Sequence, residues 1–177
     1  VSDTARPGYT SINAYSGGGG GTVQEFLKLK PGMAMLASRL ETRRYAAIMG
    51  ATTEFRKEEG ITYDPDGKVV YIAMSEVGRG MEDFAKGGKP NDKYDKGGNN
   101  HITVEYLAGG AVYACDVATD ATIGSNMVIQ NMRSVVESKR ANYSASSPYY
   151  GNKDDVDYIS MPDNVTYMVG TDILIIG

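Results

Sequence analysis

Short apolar runs separated by turn-forming residues dominate the chain, and this pattern predicts many β-strands. A hairpin is predicted at 58–76, with β-branched or aromatic residues at 61–63, a turn at 64–67 and a buried strand at 69–74. We expect Gly67 to take the positive φ of that turn, because glycine lacks the Cβ that opposes it. Acidic residues stand at both outer ends of this hairpin.

Further strands are expected at 23–30, 101–106 and 111–117. The segment 126–136 fits a strand followed by a short helix. One amphipathic helix is predicted at 33–49, with Gly50 as its terminator. Its apolar face is formed by Met33, Leu36, Leu40, Ala47 and Ile48. The arginines of the predicted helix are Arg39, Arg43 and Arg44, of which Arg39 and Arg43 fall away from this apolar face. Those arginines form either a solvated helix face or a phosphate-binding cluster.

Three polar segments are expected to be loops. Residues 1–22 end in a glycine run that no Gly-Lys-Ser/Thr follows, so a flexible or closely packed loop is favoured over a phosphate-binding loop. The segments 77–100 and 138–158 are long and lack periodicity. Asp92 and Asp95 match no calcium-loop spacing, and solvated acids are the favoured interpretation.

The segment 163–177 repeats the pattern of 59–73: an acid, a small or polar residue, aliphatic-Thr-Tyr, a turn and an aliphatic strand. Internal repeats of this kind are typical of β-propellers, in which the innermost strand of each blade begins beside a central channel. The predicted fold is therefore mainly β: a single incomplete β-propeller domain over 1–177, with one amphipathic helix and long loop insertions. Glu59 and Asp163 would occupy equivalent positions on two blades.

Composition narrows the function classes. The length of 177 residues suits one ordinary core, and the net charge of −4 gives no reason to expect a nucleic-acid partner. No apolar run is long enough to cross a bilayer. The single cysteine, Cys115, excludes an intrachain disulfide. The chain begins at Val1 and ends at Gly177 within an apparent strand, so we expect a piece of a longer protein.

Carboxylates that converge from separate blades would form an oxygen-rich pocket suited to calcium, and carboxylates also bridge iron. Glu59 and Asp163 are the first candidates for metal ligands, with Glu76 and Asn164 as further ones. The alternative is that these residues cap strand ends. Cys115 is expected to be a buried, inert thiol. His101 has no partner at zinc spacing, and no Gly-x-Ser-x-Gly elbow is present.

Several segments, in the same order along the chain, resemble the PhoX-type alkaline phosphatases. They are 39–47 (Arg-Leu-Glu-Thr-Arg-Arg-Tyr-Ala-Ala), 50–63 (Gly-Ala-Thr-Thr-Glu-Phe-Arg-Lys-Glu-Glu-Gly-Ile-Thr-Tyr), 71–76 (Tyr-Ile-Ala-Met-Ser-Glu), 110–113 (Gly-Ala-Val-Tyr) and 160–177. The resemblance implies a secreted or periplasmic β-propeller, exported by the twin-arginine route, that hydrolyses phosphate monoesters with an iron and calcium cluster.

By position, Glu59 resembles a metal-bridging glutamate and is the expected catalytic residue, while Asp163 resembles a metal-ligand aspartate. Glu76 and Asn164 are carried over as further metal ligands. The chain departs from the family in being shorter than a full propeller and in lacking the family's N-terminal metal ligands, including a cysteine. Two other functions remain open: a non-catalytic propeller fragment that binds calcium or a partner, and a calcium-dependent propeller lactonase or esterase.

Overall fold

The computed structural model describes residues 1–2, 4–15, 22–91, 93–95 and 100–177. The protein is mainly β, as the sequence pattern predicted. Its backbone contacts divide it into two compact units, one formed by Val1–Phe55 with Gly78–Tyr106 and the other by Arg56–Val77 with Leu107–Gly177. Among the helices of the described residues, none has the length and apolar character that a membrane crossing requires.

The first unit contains an antiparallel hairpin of β1 (Thr10–Tyr15) and β2 (Thr22–Leu27). β2 confirms the strand expected at 23–30, although it ends at Leu27. Residues 10–15 differ from the flexible segment expected over 1–22, because they pair along their whole length with β2. The glycine run at 17–21 lies outside the described residues.

The helix expected at 33–49 is two short helices, α1 (Ala34–Leu40) and α2 (Thr42–Ile48). The break falls at Glu41, where φ is −131°. The Thr42 hydroxyl donates a hydrogen bond of 2.8 Å to the carbonyl of Ser38, and side-chain bonds of this kind compete with the helical ladder and bend helices. Gly50 ends α2 as predicted, with a φ of 94°.

The second unit is built on a five-stranded antiparallel sheet that curls into a half-barrel. Its strands are β3 (Glu58–Asp64), β4 (Val69–Met74), β5 (Ala111–Asp120), β6 (Ser125–Ile129) and β7 (Arg133–Glu137). β3, β4 and β5 follow one another across the sheet, and β6 and β7 pair with opposite halves of the long strand β5. Residues 111–115 are all buried, which explains why the apolar run of β5 does not alternate.

Two expected elements are wrong. The short helix expected near 136 is strand β7, because Val136 pairs with Val112 of β5. The segment 101–106 is not a strand, since its backbone N–H groups donate hydrogen bonds to a side chain and to a residue outside any strand. The N–H of Ile102 donates to the carboxylate of Glu54 at 2.7 Å, and the N–H of Val104 donates to the carbonyl of Met81 at 3.0 Å.

The last two strands, β8 (Val165–Met168) and β9 (Ile173–Ile176), form a second hairpin with the same design as β3–β4. In the first hairpin Tyr63 lies opposite Val70, and in the second Tyr167 lies opposite Leu174. Both turns span four residues, and the last residue of each has a positive φ of 53°, at Lys68 and Asp172. The registers therefore agree with the alignment of 59–73 on 163–177.

The expectation that Gly67 takes the positive φ of the first turn is wrong, because Lys68 takes it. Glycine is needed at position 67 because a larger residue would not fit beside the Asp64 side chain. The Asp64 carboxylate accepts hydrogen bonds of 3.0 Å from the N–H groups of Asp66 and Gly67, and a Cβ at position 67 would collide with its second oxygen.

The two hairpins pack face to face through a small apolar core. Its buried centre is Ala73, Val112 and Val165, against which Tyr71, Ile159, Leu174 and Ile176 pack. The rings of Tyr71 and Tyr167 are stacked with their centroids 6.1 Å apart. The N–H of Tyr167 donates to the hydroxyl of Thr62 at 3.1 Å. This packing brings the beginnings of β3 and β8 together.

Candidate functional site

Glu59 lies in a β-bulge at the beginning of β3. Glu58 pairs with Met74 and Gly60 pairs with Ala73, so Glu59 is the extra residue between two successive partners on β4. A bulge re-aims a side chain relative to the regular alternation of the strand, and bulges are common beside functional sites. The bulge is a feature that the hydrophobic pattern did not predict.

The carboxylate of Glu59 has two polar neighbours. The Ser75 hydroxyl donates a hydrogen bond of 3.0 Å to Oε1, and the Lys57 ammonium lies 3.5 Å from the same atom. The side chain of Glu59 is 30% exposed, so it is held in place while remaining accessible. Ser75 and Lys57 were not among the predicted site residues.

Asp163 and Asn164 begin the second hairpin next to the Glu59 bulge. A Cβ built on Gly60 would lie 2.8 Å from the carbonyl oxygen of Asp163 and 2.9 Å from the nitrogen of Val165. Only glycine permits this approach of the two main chains. The side chains of Asp163 and Asn164 are exposed, and their atoms Oδ2 and Nδ2 lie 3.5 Å apart. The structure therefore places Glu59 and Asp163 at neighbouring strand beginnings.

Glu76 is engaged elsewhere, in an ion pair with Arg56 at 2.8 Å. The side chains of Glu76 and Arg56 are 23% and 17% exposed. The second guanidinium nitrogen, Nη1 of Arg56, is buried without a hydrogen-bond partner in the part of the chain that the structure describes. This pair joins the two ends of the first hairpin, since Arg56 precedes β3 and Glu76 follows β4.

The four predicted ligands do not by themselves fit a closed metal cluster. Within the described ranges, no three His, Cys, Asp or Glu side chains come together in a way that could hold a metal ion. Glu59 and Glu76 instead have cationic partners, Lys57 and Arg56. The arrangement brings two acidic residues, Glu59 and Asp163, to neighbouring strand beginnings, which is less than the oxygen-rich shell that calcium requires.

Buried acids in the first unit were missed by the sequence interpretation. Glu82 is 3% exposed, and its carboxylate accepts hydrogen bonds from the N–H groups of Arg79, Gly87 and Gly88 at 2.6 to 2.9 Å. Glu54 is 4% exposed and accepts from the N–H groups of His101 and Ile102. These carboxylates take the place of regular backbone pairing for the N–H groups of residues 79, 87–88 and 101–102. They therefore fix the local course of the backbone.

Asp95 is not the solvated acid that was expected, because it is 8% exposed. One carboxylate oxygen accepts from the N–H of Phe84 at 3.0 Å, and the other has no hydrogen-bond partner in the described part of the chain. Burial raises the pKa of Asp95 to about 6, and the negative charges of Glu54, Asp83 and Glu82 add to that rise. Asp92 lies outside the described residues.

Cys115 lies in the middle of β5 and is 1% exposed. Burial, and then the charge of Asp116, raise the pKa of its thiol, which opposes formation of the reactive thiolate. The structure thus agrees with a buried, unreactive cysteine.

No protein-family model, curated protein or solved structure matched the chain in the three comparisons with known proteins.

Proposed function

We propose that the chain is part of a metal-dependent phosphomonoesterase resembling the PhoX-type alkaline phosphatases. The proposed substrates are small phosphate esters, the proposed metals are calcium and iron, and the proposed location is the periplasm or the exterior of the cell. The observation that carries the proposal is the repeated hairpin of equal register, which brings Glu59 and Asp163 to neighbouring strand beginnings.

The proposed scaffold is an incomplete β-propeller with long loop insertions. Two features support it. β3, β4, β5 and β7 form an antiparallel series of four strands in chain order, interrupted by β6, which is the number and direction of strands in a propeller blade. A second copy of the inner hairpin then packs face to face on the first, as the inner strands of successive blades do.

The proposed site combines acids with cations. Glu59 and Asp163 would contribute two of the metal ligands, and the rest would come from residues beyond this pair. Lys57 lies beside Glu59 and is the accessible cation at this end of the hairpin, whereas the Nη1 of Arg56 is buried without a hydrogen-bond partner among the described residues. An accessible ammonium group suits a phosphate ester, because it binds phosphate oxygens through charge-assisted hydrogen bonds.

The test compares Glu59→Gln with Glu58→Gln in the full-length parent protein, measured for p-nitrophenyl phosphate hydrolysis and for calcium and iron content. Loss of the Glu59 charge is expected to abolish turnover and to lower the bound metal. The control replaces the exposed acid next to it on the same strand and is expected to leave both unchanged. Full activity and full metal content in Glu59→Gln would remove this residue from the site. A parent protein without phosphatase activity under any metal condition would refute the proposal.

A second candidate is a non-catalytic propeller fragment that binds calcium or a partner. The ion pairs of Glu59 and Glu76 favour it, because carboxylates that already have cationic partners are less available to a metal. Calcium binding to the parent protein without hydrolysis of phosphate esters or lactones would support this candidate. Lactone hydrolysis would favour instead a calcium-dependent propeller lactonase or esterase.

A further inference from the structure

The two hairpins differ in exposure at six of eight equivalent positions, the exceptions being Val70 with Leu174 and Ile72 with Ile176, which are all half-buried. One side of each hairpin is formed by four residues, which in the first hairpin are Ile61, Tyr63, Val70 and Ile72 (the head face) and in the second are Val165, Tyr167, Leu174 and Ile176. The other side is formed in the first hairpin by Thr62, Asp64, Val69 and Tyr71, and in the second by Thr166, Met168, Ile173 and Ile175 (the tail face).

Within the chain, the second hairpin covers the first through one defined pair of sides. Tyr167 stacks on Tyr71 and donates its N–H to Thr62, and Val165 packs with Ala73. Val165 and Tyr167 of the second hairpin correspond to head-face residues of the first. They therefore cover Thr62 and Tyr71, which correspond to tail-face residues of the second hairpin. The head face and the tail face are the two hairpin sides that take no part in this internal contact.

The exposures follow from that arrangement. Ile61 of the head face is 70% exposed, while its equivalent Val165 is 6% exposed. On the tail face Ile173 is 51% exposed, while its equivalent Val69 is 9% exposed. The remaining head-face residues are half-buried, and the whole tail face is exposed. Each position that is exposed on one hairpin is thus better covered on the other.

We propose that the chain associates head to tail with a second copy of itself, the tail face of one copy packing on the head face of the next. The interface would resemble the internal contact between the hairpins, because the head face has the same register and nearly the same chemistry as the side that covers Tyr71. The strand beginnings would lie farther apart than in the internal contact, because the tail hairpin has Asn164 where the first hairpin has Gly60. Aliphatic residues and one tyrosine form the head face, and the tail face offers Met168, Ile173 and Ile175 to them. This proposal does not depend on the phosphatase activity.

A head-to-tail contact joins two different surfaces, so it has a signature that a symmetric dimer lacks. Blocking one face on a chain leaves its other face able to bind. Ile175→Lys blocks the tail face, and Ile61→Lys blocks the head face. Either variant alone should be unable to associate, whereas their mixture should form a one-to-one dimer through the two intact faces.

The experiment measures mass by sedimentation velocity over a wide concentration range. For the unchanged chain, the average mass should rise above the 19.0 kDa of the monomer as the concentration increases. Ile175→Lys and Ile61→Lys should each remain monomeric, and their equimolar mixture should reach twice the monomer mass. Ile123→Lys is the matched control, since Ile123 is 67% exposed on the turn between β5 and β6 and lies on neither face. It should associate like the unchanged chain.

Three outcomes would overturn the proposal: an unchanged chain that stays monomeric at all concentrations, a single-face variant that associates as the unchanged chain does, or a mixture that stays monomeric. Far-ultraviolet circular dichroism checks that each variant is folded. Met168→Lys provides a second tail-face variant if Ile175→Lys fails that check, and it should give the same dimer with Ile61→Lys.

Discussion

Gly60 controls the approach of the two hairpins at the residue scale. Its missing side chain leaves room for the main chain of 163–165, and a Cβ would meet backbone atoms, which cannot move aside as a flexible side chain can. The first hairpin carries the candidate residue Glu59 immediately before this contact. The separation of the two strand beginnings therefore depends on a glycine with no chemistry of its own.

Gly60→Ala is expected to lower the free energy of unfolding by about 1–3 kcal/mol, the usual effect of overpacking a tight contact. The measurement is urea unfolding followed by circular dichroism. Gly177→Ala is the control, because its Cβ would meet only the Cβ of Asn164 at 3.9 Å and the equivalent residue of the first hairpin is Ala73. That variant is expected to stay within about 0.5 kcal/mol of the unchanged chain. Equal stability of all three chains would refute the steric role of Gly60.

Asp95 should make the stability depend on pH. Its pKa is raised from 3.8 to about 6 in the folded chain, so between these values the folded state binds more protons than the unfolded state. The free energy of unfolding should therefore fall as the pH rises through this window and then level off. The cause is the burial of one carboxylate oxygen without a hydrogen-bond partner in the described ranges.

Asp95→Asn tests this dependence, because its amide oxygen can still accept the N–H of Phe84 and carries no charge. The variant should be more stable than the unchanged chain at neutral pH, and the difference should shrink toward pH 4. Urea unfolding at a series of pH values measures it. Glu105→Gln, at an exposed acid of the same unit, should leave the pH dependence as it is. A flat difference across the pH range would contradict the assignment to Asp95.

At the scale of elements, the two hairpin turns share one strained position. Lys68 and Asp172 both adopt the left-handed conformation, which costs residues with a side chain about 1–2 kcal/mol. In the second turn a hydrogen bond offsets this conformational cost, since the carboxylate of Asp172 accepts a hydrogen bond of 3.2 Å from the Tyr167 hydroxyl. No such bond was found for Lys68 among the described residues.

Lys68→Gly is therefore expected to stabilise the protein by roughly 0.5–1 kcal/mol, after allowance for the greater freedom of glycine in the unfolded chain. Asp172→Gly should give no gain, because it relieves the same strain but removes a hydrogen bond of about 1 kcal/mol. The midpoints of urea unfolding compare the two variants. A larger gain for Asp172→Gly than for Lys68→Gly would reverse this explanation.

Elements that depend on local patterns were predictable, and those that depend on distant partners were not. The hairpin at 58–76 and its repeat at 163–177 follow from turn residues and aliphatic runs within a few positions. The segment 101–106 was predicted to be a strand, but the distant carboxylate of Glu54 accepts hydrogen bonds from the first two of its backbone N–H groups. The bulge at Glu59 was equally hidden, since it depends on how β4 pairs with β3.

At the scale of the whole molecule, stability is expected to be uneven. β5 is paired along both edges and is buried over 111–115, whereas α1 and α2 contain no buried residue. Exchange of a backbone amide in a paired, buried strand requires extensive unfolding, while an exposed helix exchanges by local opening.

Hydrogen exchange should therefore be slowest in β4 and β5 and fastest among the regular elements in α1 and α2. Mass spectrometry of peptides after deuterium labelling measures this order. Comparable protection of α1 and β5 would contradict this prediction. It would indicate that another surface packs on the helices in solution.

Sequence repetition predicted Glu59 and Asp163 as site residues, and the structure brings the beginnings of their strands together. It also shows Glu76 in an ion pair with Arg56 and reveals Ser75 and Lys57 beside Glu59. Such neighbours come from the pairing of β3 with β4 and from side-chain direction, which the order of residues alone does not fix.

The hydrogen bond between Thr62 and Tyr167 joins residues 105 positions apart. Each hairpin can form on its own within about 1–10 μs, because its contacts are local. Their docking must wait for the chain between them to be made and brought back, and contacts of such long sequence separation slow folding. During synthesis, Tyr71 and Ala73 therefore leave the ribosome well before the residues that will cover them. In that interval the first hairpin is exposed to other nascent chains, and this is when we expect chaperones to matter most for this protein.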